Sequence, residues 1–206
     1  MVLQRFMGLT AMGLLVLAGA ARAEITTVEP FSGELSEGFE DHPLGMFLPQ
    51  IDVFGGEGIV GTTTGGAFVH VTTGWTFFGT VFPHGGNKFM GSAGDPLRWE
   101  FDTPAQKFGG YFTTNNGTND ATARFFSAEN TLLGQLVVTA PANNQWVWNG
   151  WETDGVGIAA VEITGNAFNG GFIMHDDMEL ISIPEPAALS LIGLGALAML
   201  RRRRTR

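Results

Sequence analysis

Between Glu24 and Ile183 the recurrent apolar period is two, and no stretch keeps helical spacing for three turns. Ala67-Phe68-Val69-His70-Val71 and Leu97-Arg98-Trp99-Glu100-Phe101 show it most plainly. Such alternation suits strands with one face in a core and the other in water. Further strand candidates are Trp75–Phe82, Gly109–Thr113, Ala121–Ala128, Leu132–Thr139, Gln145–Trp151, Ile158–Ile163, Phe168–Met174 and Met178–Ile183. Thr114–Asp120 and Pro141–Asn144 supply the Gly, Asn, Asp and Thr clusters that make turns between them. About ten short strands at this spacing predict an all-β fold, an antiparallel β-sandwich of the jelly-roll kind. Gaps are irregular and no segment repeats, which argues against a propeller or β-helix.

Both ends of the chain depart from this pattern. Arg5, the uncharged run Phe6–Ala20 and Ala21-Arg22-Ala23 form a basic n-region, an apolar h-region and an A-x-A cleavage site. Residues 1–23 therefore read as a signal peptide, which begins as a helix and is removed outside the cytoplasm. At the other end Ala187–Leu200 is a 14-residue uncharged segment. As a helix it measures roughly 21 Å, short of the ~30 Å hydrocarbon core. Pro184 and Pro186 precede it, Arg201, Arg202, Arg203 and Arg204 follow it, and the chain stops at Arg206. Clustered arginines hold such an end on the cytoplasmic side. The expectation is a transmembrane helix at 187–200, transiently seated in the inner membrane with the body outside.

Pro184-Glu185-Pro186, a short apolar helix and a terminal arginine cluster together resemble the PEP-CTERM sorting signal of Gram-negative bacteria. The resemblance implies recognition of residues 184–206 by exosortase, a membrane protease and transpeptidase, and delivery of the body to the cell surface or the exopolysaccharide matrix.

The body, residues 24–183, carries four basic residues (Lys88, Arg98, Lys107, Arg124) against 19 acidic ones, a net charge of −15. That balance excludes nucleic acid as a partner, because phosphate binding needs clustered Lys and Arg. The chain has no cysteine, so an exported body must be held by core packing, and a single domain of this length buries roughly 70% of its unfolded surface.

A second resemblance covers most of the body. Gly38-Phe39-Glu40 early, Trp99-Glu100-Phe101-Asp102-Thr103-Pro104 with Phe108–Phe112 in the middle, and Phe172–Leu180 with an Asp176-Asp177 pair at the last strand are similar to an exported β-sandwich common among PEP-CTERM proteins. In outline it resembles carbohydrate-binding modules. Modules of this kind imply a structural calcium where the chain ends meet, with Glu40, Asp176 and Asp177 as hard oxygen ligands; the alternative is a solvated Asp turn. Trp146 and Trp148 share one strand face, with Trp151 on the opposite parity. Flat indoles of this kind serve either as core or as stacking platforms for sugar rings.

Signals for catalysis are absent. The four histidines (His42, His70, His84, His175) have no metal-ligand spacing, no serine lies in a G-x-S-x-G elbow, and Asp154-Gly155-Val156-Gly157 has no βα context. The sequence thus predicts a non-enzymatic, exported surface or matrix protein, with polysaccharide as its expected partner. Two alternatives stay open: a secreted glycan hydrolase using a carboxylate pair, and a structural matrix protein with no ligand.

Overall fold

An 18-residue strand, Leu97–Thr114, organises the fold. The computed structural model describes residues 24–45, 47–63, 68–77, 79–92, 96–116, 121–165 and 172–183. They form β1 (Ile25–Thr27), β2 (Leu35–Glu37), β3 (Gln50–Val53), β4 (Gly58–Thr62), β5 (Val69–Thr72), β6 (Phe89–Ser92), β7 (Leu97–Thr114), β8 (Ala121–Phe126), β9 (Leu132–Val138), β10 (Val147–Thr153), β11 (Ile158–Thr164) and β12 (Ile173–Ser182). Every ladder among them is antiparallel.

Two layers arise because β7 changes partners along its length. Its first half lies between β4 and β11, giving the order β3-β4-β7-β11-β8-β9. Its second half lies between β10 and β12, and this layer continues to β1 on one side and to β6, β5 and β2 on the other. The residues of β7 that face inward switch parity at the same place, from Leu97, Trp99 and Phe101 to Phe108 and Phe112. Register slips on both flanks allow the switch: β11 passes from Ala105 to Glu100 within two of its residues, and β12 skips Gln106. Pro104, which donates no N–H, sits at this irregularity, where a ladder tolerates it.

Ring contacts prove that the layers face each other. Phe125 on β8 and Trp151 on β10 belong to strands three places apart, roughly 14 Å in a flat sheet. Their centroids are 5.3 Å apart. Trp99 likewise meets Phe108 at 5.3 Å and His175 at 5.6 Å. The chain is therefore the all-β antiparallel sandwich that its alternation predicts.

One carboxylate braces the entrance to this core. Phe39 and Phe54 both adopt left-handed conformations (φ 60° and 56°), unusual for aromatic residues. Both are buried, with rings 6.4 and 5.9 Å from Trp99. Glu37 accepts both of their N–H groups, at 2.7 and 2.9 Å. Burial works to raise the Glu37 carboxyl, yet His42 and these two donors bring it below its ordinary value.

Several expected strands are corrected. Leu97–Phe101 and Gly109–Thr113 are one strand, β7. The last two candidates meet in β12, whose irregularity at Asp177 (φ 46°) is a bulge rather than a turn; residues 166–171 lie outside the described ones. Trp75–Phe82 is not a strand. It closes with a single bridge, Trp75 to Val81, and folds as a flap over the outer face of the second layer. There Trp75, Val81, Phe89 and Met174 make a small second core. β1 to β4 and β6, short and glycine-rich in part, have no counterpart among the expected strands.

The signal helix at 1–23, Pro184, Glu185, Pro186, the segment 187–200 and Arg201–Arg204 lie outside the described residues. Among the described residues no helix is long and apolar enough to cross a membrane.

Candidate functional site

The outer face of the second layer carries aromatic residues where simple alternation would put solvated polar ones. Trp148 on β10, Tyr111 on β7 and Asp176 on β12 lie side by side in register across three strands. The Trp148 and Tyr111 centroids are 5.5 Å apart, edge to face. Two glycines paired in the same ladder, Gly109 and Gly150, make room for the indole. A Cβ on Gly109 would lie 2.8 Å from Trp148 Cζ2, and one on Gly150 2.6 Å from its Nε1. The ring therefore lies along the strands, over backbone, and Nε1 donates to the Val28 carbonyl at 3.0 Å. Phe31 packs its edge against the far side at 5.4 Å.

His84 extends the row. Its ring stacks on Tyr111 with centroids 3.6 Å apart and 16° between planes. Trp146 stands edge-on to it at 6.2 Å and donates Nε1–H to the Phe82 carbonyl at 3.0 Å. Trp146 and Trp148 are both half-buried on this face, while Trp151 is buried in the core on the other. The parity read from the sequence holds, and the Trp146 and Trp148 rings are each fixed by a backbone acceptor.

Glu40, Asp176 and Asp177 also come together here, around the turn of residues 84–88. Asp176 Oδ2 accepts the N–H groups of His84 (2.7 Å) and Gly85 (3.1 Å), and Oδ1 accepts that of Asp177 (2.9 Å). Glu40 Oε1 accepts those of Asn87 (2.6 Å) and Lys88 (2.8 Å). Asp177 Oδ2 is 2.6 Å from His84 Nδ1. Gly85 is required, since a Cβ there would lie 2.5 Å from Asp177 Oδ2. Gly86, at φ +55°, has no room for one beside the Glu40 carboxylate. The three carboxylates thus clamp a turn. Among the described residues no group of three or more His, Asp or Glu is arranged to hold a metal.

Burial, and then the negative charge of Asp177, push the Asp176 carboxyl up to about 7, against the pull of its three N–H donors. Its neighbour His175 points the other way, into the core between Trp99 and Phe112. Neither of its ring nitrogens has a partner there, and burial pushes it down to about 3.

The sequence singled out Trp146, Trp148, Glu40, Asp176 and Asp177 as candidates but not Tyr111 and His84, which the structure places between the two groups. Tyr111 had a signal in the sequence, as the chain's only tyrosine set between strand residues. His84 had none, because only the flap brings it there.

Residues 182–204 match the model of the PEP-CTERM protein-sorting motif. This chain ends in a PEP-CTERM sorting motif. The match marks it as an exported protein of the kind that exosortase sorts, held in the membrane before processing. No curated protein matches it. Among solved structures, the K2 cleaved adhesin domain of Lys-gingipain aligns at 15% identity and a TM-score of 0.49, over 70% of this chain and 97% of that one. The CBM22-1 xylan-binding domain from Paenibacillus barcinonensis aligns at 12% identity and 0.44, over 76% and 100%. TmCBM61, solved with beta-1,4-galactotriose, aligns at 16% identity and 0.43, over 71% and 95%.

Proposed function

We propose that this PEP-CTERM protein is a non-catalytic polysaccharide-binding protein of the cell surface or extracellular matrix, and that the row Trp148–Tyr111–His84–Trp146 is where glycan lies. The observation that supports it is the row itself: aromatic side chains, each fixed by a neighbour or a backbone carbonyl, on an outward sheet face. Rigid aromatic surface with few rotatable bonds is what a sugar ring needs to pack against, at low entropic cost. Asp176 offers little to a hydrolytic mechanism, being buried under the 84–88 turn with its oxygens engaged.

Affinity electrophoresis of the full chain in a non-glycosidic detergent, through gels cast with exopolysaccharide, tests the reading. The polymer is expected to retard the protein, and Trp148→Ala to weaken retardation by roughly tenfold or more, as truncation of an aromatic anchor does. Unretarded wild type, or retardation that Trp148→Ala leaves intact, would count against it; release of reducing ends would favour the hydrolase. A structural calcium at Glu40, Asp176 and Asp177 stays a proposal. The ion would have to replace the N–H donors of residues 84–88, and a Tm higher in calcium than in chelator would reveal it.

A further inference from the structure

Beside the aromatic row is a cleft of about 520 Å³, within the ~300–1,000 Å³ usual for ligand sites. It opens between the flap residues Gly79, Thr80 and Phe82 and the turn Ala142–Asn144, with Asn115 and Asn116 at its base. We propose that this cleft is a second subsite that takes an uncharged sugar residue of the same polymer. The inference deepens the reading above and rests on it for the presence of a glycan.

Chemistry selects the ligand class. Among the described residues no charged side chain lines the cleft; its walls there are amides, a hydroxyl and one aromatic ring. An amide presents a donor and an acceptor side by side, which suits neighbouring hydroxyls that each do both. Asn143 and Asn144 sit in left-handed conformations, φ 64° and 58°, which Asn tolerates better than other side chains. Asn144 gives its oxygen to the Phe82 N–H at 2.7 Å, which leaves its NH₂ group as the donor toward a ligand.

Phe82 is 54% exposed, yet its backbone is fixed on both sides. Its N–H is bonded to Asn144, and its carbonyl to Trp146 Nε1. An exposed ring on a braced backbone is a platform rather than a loose hydrophobe. The same Trp146 bond joins the cleft to the end of the aromatic row, so one extended chain can lie on both.

The surrounding charge argues against an acidic polymer. All four basic side chains of the body are already engaged: Lys88 by the Glu40 and His42 carbonyls, Arg98 by Glu100 and Glu162, Lys107 by Glu152, and Arg124 by Glu162. A uronic-acid chain would meet a body of net charge −15 with no cation free to receive it.

The test is affinity electrophoresis of the full chain in gels holding a neutral polysaccharide (a glucan, a xylan or a galactan in turn) or polygalacturonate. At least one neutral polymer is expected to retard the protein. Phe82→Ala and Asn143→Gly should each weaken that retardation by roughly three- to tenfold, the effect of losing a packed ring or one or two hydrogen bonds. Asn143→Gly keeps the left-handed backbone unstrained, and Phe82 is exposed, so both variants should melt as the wild type does. Should both bind as the wild type while Trp148→Ala does not, the cleft is no subsite and the aromatic row stands. Retardation by polygalacturonate alone overturns the uncharged ligand, and no retardation in any gel overturns both readings.

Discussion

The two outer faces of this sandwich solve the same problem in opposite ways. On the first layer a row runs in register through Arg98, Glu162 and Arg124. Glu162 takes both guanidinium groups, at 3.0 and 3.1 Å, and Arg98 takes Glu100 at 2.6 Å. Both arginines also lie about 5 Å from the Phe126 ring. On the second layer the equivalent row is Trp148, Tyr111 and Asp176. A row of alternating charges satisfies itself and asks nothing of a partner. A row of aromatic rings does not, and the proposed glycan face rests on this asymmetry more than on any single residue.

A pH scan should separate the faces most sharply, because the aromatic row ends on Asp176 with His175 beside it. His175 falls from 6.5 to about 3 on folding, so the unfolded chain binds the extra proton and stability is lost as pH falls below 6.5. Asp176 rises from 3.8 to about 7, so the folded chain binds the extra proton and stability is lost as pH climbs from 3.8 through 7. Between 3.8 and 6.5 the two oppose each other, and their joint contribution is flat. Asp176→Asn removes one side of the balance. Its unfolding free energy should then fall on acidification through that window, with a slope of up to about 1.4 kcal/mol per pH unit and a matching fall in Tm. An unchanged profile in the variant would break the assignment.

Gly109→Val tests the seat of the indole. The added side chain meets Gly150 Cα at 2.7 Å and Trp148 Cζ2 at 2.8 Å. Thermal melts should show a loss of about 1–3 kcal/mol, as overpacking does, and the displaced Trp148 should abolish retardation by glycan. On the charged face, Glu162→Gln is expected to cost only about 1 kcal/mol or less and to leave retardation unchanged. Equal effects of the two substitutions on binding would show that the faces do not differ in function.

Strand type and sidedness were legible in the sequence because they depend on local alternation, as at Leu97–Phe101 and Ile158–Ile163. The longest strand was not recognised as one, since Asp102–Lys107 interrupts the pattern at the point where β7 changes layer. β1 and β2 have three residues each and are strands only because β10 and β12 pair with them from more than a hundred residues away. Trp75–Phe82 has a strand's apolar content but buries only Trp75 and Val81 of its described residues, against an outer face that sets no period of two. For the site, Trp146 and Trp148 announced themselves by spacing. His84 did not: its position depends on the carboxylates of Asp176 and Asp177, reached through a fold that no local pattern encodes.

The last strand also sets a direction. Ile183, just past the end of β12, donates its N–H to the Pro104 carbonyl at 2.9 Å, and the sorting motif begins at residue 182. At the other end Phe172 donates its N–H to Asn115 at the base of the cleft. Ten residues of extended chain separate those points, about 33 Å at ~3.3 Å each. The start of the sorting motif and the cleft therefore lie at opposite ends of one strand, about a full sandwich's length apart.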